Sequence, residues 1–248
     1  EPTEEAPVEL LPPDAEIPIG GLYATEWRMV ATYEVPNPFG DSMMSGEGET
    51  LVLGMARIEQ EGDGWTIEEW GCGGSSDIDL MGGVQITIPS ALPLSVPSSR
   101  SALHVQAEED GWTWRREEVA TAVGVRMGDP TADPLPDDRH DDRIWDQDAD
   151  GHPGVTVGVE NPLLSGDIYV AQRQRNTLYG GVAADGSLFG VIEDSAEQKV
   201  LDSDNILLRM DIVMHPPESL DRNTVSMVPV EPGTDCAWLL DKADEVFE

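Results

Sequence analysis

Through much of this chain apolar side chains recur at every second position, a period that admits few folds. Between residues 23 and 35, Tyr23, Trp27, Met29, Tyr33 and Val35 share one phase, while Glu26, Arg28, Thr32 and Glu34 take the other. Between 206 and 214, Ile206, Leu208, Met210, Ile212 and Met214 alternate against Arg209 and Asp211. Successive side chains of a β-strand point to opposite faces, so such segments read as strands with one buried face. These two segments carry the clearest pattern. The same reading extends to 51–59, 65–70, 84–88, 102–107, 112–116, 155–159, 168–178, 188–192 and 225–230, about eleven strands in all.

Asp-Gly pairs at Asp63-Gly64, Asp110-Gly111 and Asp185-Gly186 stand between several of these segments. Glycine tolerates the positive φ that a tight hairpin demands, so neighbouring strands are expected to pair antiparallel. The hexapeptides EGDGWT (61–66) and EEDGWT (108–113) are nearly identical. They read as one turn solution used twice, with Trp65 and Trp112 each packing just after a hairpin. Helical signal is confined to the C-terminus, where Thr234 or Asp235 can cap a short helix over 236–247 that is expected to close an open end.

Many strands, short turns and no regular βαβ alternation predict an all-β fold. An antiparallel β-barrel is the expected form and a sandwich the alternative, because closure removes the exposed edges of so many strands. The order of short hairpins from 155 to 230 is similar, in architecture only, to the lipocalin-like meander. No lipocalin sequence motif can be placed. Residues 1–20, rich in Pro and Glu, read as an acidic N-terminal spacer, and 21–248 as one barrel domain with an acidic connection at 128–154.

Charge excludes one large class of partner. Fourteen basic residues against 49 acidic ones give a net charge of −35, a field that repels phosphate backbones, so nucleic acid is not an expected partner. No run of about 18 apolar residues occurs, so no transmembrane segment is expected. The start at Glu1, without Met, reads as what remains after removal of a targeting segment. Cys72 and Cys236 are the only cysteines. With no metal-type Cys spacing, they are expected to form a disulfide in an oxidising, extracytoplasmic compartment: secreted, periplasmic, or tethered as a lipoprotein to a bacterial envelope.

One segment carries chemistry. Asp146-Gln147-Asp148-Ala149-Asp150-Gly151 places alternate carboxylates before a glycine, an order that lets a short loop curl around a hard cation while Gly takes the sharp turn. His152, next in line, would offer its backbone carbonyl. Oxygen ligands favour Ca²⁺ over zinc. These six residues resemble the start of the calcium loops of the EF-hand, dockerin and thrombospondin type 3 families. The resemblance implies the ion and stops there: the twelfth loop position, a glutamate in an EF-hand, is Val157. The remaining ligands are expected from Asp142 and its neighbours Asp137, Asp138 and Asp141, or from Glu160.

No G-x-S-x-G and no dinucleotide or phosphate loop occurs. The leading expectation is therefore a non-enzymatic, extracytoplasmic, calcium-binding β-barrel protein in which Ca²⁺ is structural. Two alternatives stand beside it: a lipocalin-like carrier of a small apolar ligand, and a calcium-dependent envelope hydrolase.

Overall fold

The computed structural model describes residues 9–36, 43–80, 84–89, 92–160, 165–210 and 212–247. Its eleven strands pair antiparallel throughout: β1 (Gly21–Pro36), β2 (Met43–Glu61), β3 (Gly64–Leu80), β4 (Val84–Thr87), β5 (Ser99–Glu108), β6 (Gly111–Val123), β7 (Val155–Glu160), β8 (Gly166–Val182), β9 (Leu188–Ser203), β10 (Val213–His215) and β11 (Thr224–Val230). Two helices, α1 (Leu92–Ser95) and α2 (Cys236–Val246), accompany them.

The pairings run β1–β2–β3–β5–β6–β8–β9–β11 and return to β1. At one end β4 and β7 bridge β3 to β8, and β10 adds to β1. The opposite end carries the tight hairpins. Between β2 and β3 the turn is Gly62-Asp63, one residue earlier than the Asp-Gly pair, because the left-handed φ of +60° falls on Gly62. Between β8 and β9 the left-handed residue is Gly186, and Asp185 Oδ1 accepts from the Ser187 amide at 2.9 Å.

Alternation sorts side chains between the faces, and two bulges reset it. In β3 the register with β2 slips at Cys72-Gly73, so Ile67 and Glu69 share a face with Ser76 and Ile78 rather than with odd-numbered residues. In β6 the slip at Glu117-Glu118 does the same for Trp114 and Arg116 against Val119 and Thr121. Toward the hairpin end that face packs solid, with Tyr23, Ile58, Ile67, Trp114, Leu178 and Met227 almost fully buried. Each such side chain contributes about 1.5–3 kcal/mol when removed from water. Toward the other end a second cluster, including Tyr33, Ile78, Val155, Val157 and Val170, surrounds open space.

One strand expected from alternation is largely missing, and the helix at the C-terminus and the N-terminal stretch pack where local pattern gave no guide. The expected strand 206–214 is absent apart from β10: residues 206–208 form a 3₁₀ turn whose cap, Asn205, accepts from the Leu207 amide at 3.2 Å. Local capping outcompetes strand formation there, and Ile206 is left exposed; Asp211 lies outside the described residues. The C-terminal helix α2 does form, capped by Asp235, but it covers the outer side of β1–β3 rather than an end. Its Leu239 is buried against Ala24, Leu53, Met55 and Cys72. Residues 9–20 of the acidic N-terminal stretch cross the hairpin end. There Leu11 and Ile19 are buried, and the Trp112 indole donates to the Ala15 carbonyl at 3.2 Å; residues 1–8 lie outside the described residues.

Cys72 and Cys236 are disulfide-bonded, with Cα atoms 5.1 Å apart, so α2 is fastened covalently to the β3 bulge. Among the described residues no helix is long and apolar enough to cross a membrane.

Candidate functional site

The connection from β6 to β7 folds over the outer side of β8 and β9. Val125 and Leu135 are buried there against Ala171 and Leu201. Arg173 of β8 donates to the carbonyl of Asp133 at 2.6 Å and pairs with Glu197, while Asp141 takes Arg143 in a two-point ion pair. That pairing, with the Arg143 amide, holds the Asp141 carboxyl down at about 2.

At the end of the connection Asp146, Asp148 and Asp150 converge, each offering an oxygen within 4.8 Å of the others. The gathering is built by backbone donors. Asp146 accepts from the amides of Asp150 at 3.1 Å and Gly151 at 2.9 Å. Asp150 accepts from the His152 amide at 2.8 Å and the Thr156 hydroxyl, and Asp148 Oδ2 accepts from the Thr156 amide at 2.8 Å. Burial raises Asp150, but the Thr156 hydroxyl and the His152 amide outweigh it and hold that carboxyl below its ordinary range. Asp148 Oδ1 is buried with no hydrogen-bond partner. Such an atom costs about 1–3 kcal/mol when left unsatisfied, and a hard cation held among three carboxylates is one way to satisfy it.

The loop backbone bends to make this possible. Ala149 has φ of 59° and Gly151 of 91°; the left-handed region costs a non-glycine residue roughly 1 kcal/mol. The buried side chain of Gln147 points the opposite way from its aspartate neighbours, accepting from the Gly124 amide at 2.7 Å and donating into α1.

Of the residues singled out in sequence, Asp146, Asp148 and Asp150 gather. The ring of His152, whose backbone carbonyl is the expected ligand, stacks on Tyr169 with centroids 4.2 Å apart. Asp142 is exposed and stands outside the gathered oxygens. Asp138 accepts from the His140 amide at 2.9 Å, and Glu160 pairs in register with Gln85 at the β4–β7 edge.

A second site was not singled out in sequence. The inward faces of β1–β3 and β6–β9, with β4, β10 and α1, border a cavity of about 330 Å³. Its walls are apolar, including Trp27, Ile78, Leu92, Val155, Val157 and Met214. Across it runs a polar belt. Arg116, 1% exposed, lies 3.1 Å from Glu69 and donates to the carbonyl of Asn176 at 2.9 Å and to its side chain. Asn176 stands in register with Asp194 of β9.

Burial raises Glu69 against the offsetting charge of Arg116. With no cation beside it among the described residues, Asp194 is pushed by burial up to about 6 despite a bond from Gln174. Glu69 Oε1 and Asp194 Oδ1 are both buried without partners. The signal for these residues was in the alternation itself: Arg116 follows Trp112 and Trp114 in phase, and Glu69 follows Ile67. A charge on the apolar phase of a strand has to face a core or a cavity.

No protein-family model matches the chain, and neither the curated proteins nor the solved structures include a match. The likeness to calcium loops is therefore confined to residues 146–151.

Proposed function

We propose that this chain is a non-enzymatic, extracytoplasmic β-barrel protein that binds one Ca²⁺ at Asp146, Asp148 and Asp150, the ion serving a structural role. The observation that carries the reading is the convergence of three carboxylates, each offering an oxygen within 4.8 Å of the others, in a loop where Asp148 Oδ1 is a buried acceptor with no partner. Mutual repulsion makes such closeness costly without a cation. Barrel closure draws support from the circuit of strand pairings, and the compartment from the disulfide.

Asp148 and Asp150 hold Thr156 on the face of β7 opposite Val155 and Val157, which line the cavity. An ion there faces away from the cavity, which favours a structural role over a hydrolase that positions substrate by calcium. Calorimetric titration of the metal-stripped protein in moderate salt tests the reading. One-to-one binding of Ca²⁺ is expected, lost on Asp148→Asn. Absence of heat, or equal heat in the variant, would sink it.

The cavity favours a second reading, that of a carrier for a small ligand. Its volume lies at the lower end of the range typical of small-molecule sites, about 300–1,000 Å³. The apolar walls suit a hydrocarbon body, while the polar belt adds a requirement that a purely apolar ligand would leave unmet.

A further inference from the structure

We infer that the cavity takes an amphiphile with a cationic, hydrogen-bond-donating end: an alkyl- or arylammonium whose charged end sits on Asp194 and whose tail lies among Ile78, Val155, Val157 and Val170. This names the ligand class for the carrier reading and rests on it.

Charge on the belt decides the class. The Arg116 guanidinium is ion-paired with Glu69 and donates to the Glu117 carbonyl and Asn176, although its Nε makes no hydrogen bond. Asp194, by contrast, has no cation among its partners in the described residues, where its Oδ1 is an acceptor without a donor. Glu69 Oε1 is a second open acceptor on the same belt. Hydroxyls and amides line the cavity too, but among its described lining residues Arg116 is the one arginine or lysine, beside a single histidine, against two carboxylates, Glu69 and Asp194, so the belt holds formal negative charge in excess. A ligand ending in a carboxylate would set like charge against like in a poorly solvated space, whereas an ammonium supplies three donors and the missing counter-charge.

The surroundings fit a cation as well. Tyr33 lines the cavity, and aromatic faces attract ammonium groups; the Trp27 ring already faces the Arg116 guanidinium at 5.8 Å. Gln174, which donates to Asp194, also reaches the Met29 sulfur at 3.5 Å, so the acid is held in place from β8 rather than free to swing. Outside, the field of a chain with net charge −35 concentrates cations over anions before they reach the mouth.

The test is a titration of the whole protein near neutral pH with octylammonium, octanol and octanoate. It is followed by calorimetry and tryptophan fluorescence, in enough salt to screen the acidic exterior. Saturable one-to-one binding of octylammonium is expected, roughly tenfold or more tighter than octanoate, as one charged hydrogen bond gained or lost implies. Asp194→Asn, nearly isosteric, should remove that preference while leaving octanol unchanged. Ala31→Phe, which fills the cavity from β1, should weaken both, with near-ultraviolet circular dichroism confirming the fold of each variant.

Tighter binding of octanoate or octanol would overturn the ligand class and leave the carrier reading standing. Binding of none of the three would remove both. Octylammonium binding undiminished in both variants would place it on the exterior and overturn the inference.

Discussion

Gln147 reaches from between two aspartates of the acidic loop to Ser95 of α1, its amide donating to the Ser95 carbonyl at 3.1 Å and hydroxyl at 2.9 Å. Its carbonyl accepts from the buried Gly124 amide at 2.7 Å. Leu92 and Pro93 of α1 line the cavity. One side chain therefore pins the carboxylate loop, the exit of β6 and the cavity wall together. Gln147→Leu keeps the bulk and leaves the Gly124 amide without its acceptor. A loss of roughly 1–3 kcal/mol is expected in denaturant unfolding, the cost of an unsatisfied buried donor. A change within error would mean that the three parts are held independently.

The same pin predicts where the effect of calcium is felt. If the ion orders residues 146–151, removing it should loosen Gln147 and through it α1, although α1 contributes no carboxylate. Hydrogen exchange with and without a chelator is expected to show faster exchange at 92–97 as well as in the acidic connection. Exchange rising in the loop alone would show that the ion acts locally.

Calcium should also raise stability by mass action. At a free concentration a hundredfold above the dissociation constant the gain is about 2.7 kcal/mol. For a chain of this size that corresponds to a rise in melting temperature of roughly 5–10 °C. Asp146→Asn combined with Asp148→Asn should melt at one temperature with calcium or chelator. Superimposable native curves under the two conditions would argue against a structural ion.

The disulfide offers a separate measure of what holds α2. Cys72 and Cys236 are 164 residues apart, and a loop that long is assigned about 5 kcal/mol by chain-entropy accounting. The double substitution Cys72→Ala and Cys236→Ala should therefore lower the denaturant midpoint. Because Leu239 still packs on Met55 and Ala24, helix content in native buffer should persist. A loss of helical signal at zero denaturant would show that the bond, not the packing, keeps α2 in place.

How far the sequence reveals the structure depends on which physical term dominates locally. The phase of Tyr23, Trp27, Met29 and Tyr33 marks β1 because burying those side chains outweighs every local alternative. Identical alternation at Ile206, Leu208 and Met210 misleads, since Asn205 caps a 3₁₀ turn there. The aspartate triad is legible because its spacing is local. The stacking of the His152 ring on Tyr169 and the position of Asp142 outside the triad are not, since both depend on the tertiary course of an irregular connection. The polar belt is legible only in part: Glu69 and Arg116 stand on the apolar phase of their strands, but which strands are neighbours, and hence that both face the same space as Asp194, depends on the folded register.

Asp194 gives the belt a pH signature. Its folded value of about 6 stands above the ordinary 3.8 because burial disfavours the charge. Between those values the folded chain holds a proton that the unfolded chain has lost. The stability it contributes is therefore complete below about pH 4, declines as pH rises, and is gone above about pH 6. Asp194→Asn cannot ionise and escapes that decline. Its stability relative to the native protein should climb between pH 4 and pH 7 by roughly 1–3 kcal/mol, the upper figure being the full shift converted to free energy. The comparison of variant with native protein at each pH cancels the titration of the other carboxylates. Gln174 from β8 and Tyr33 from β1, the neighbours that bear on Asp194, do not change charge across that window. With octylammonium bound, the ionised form gains a counter-charge and the advantage of the variant should shrink or reverse. A difference that is flat with pH would show that Asp194 is solvated and ionises freely.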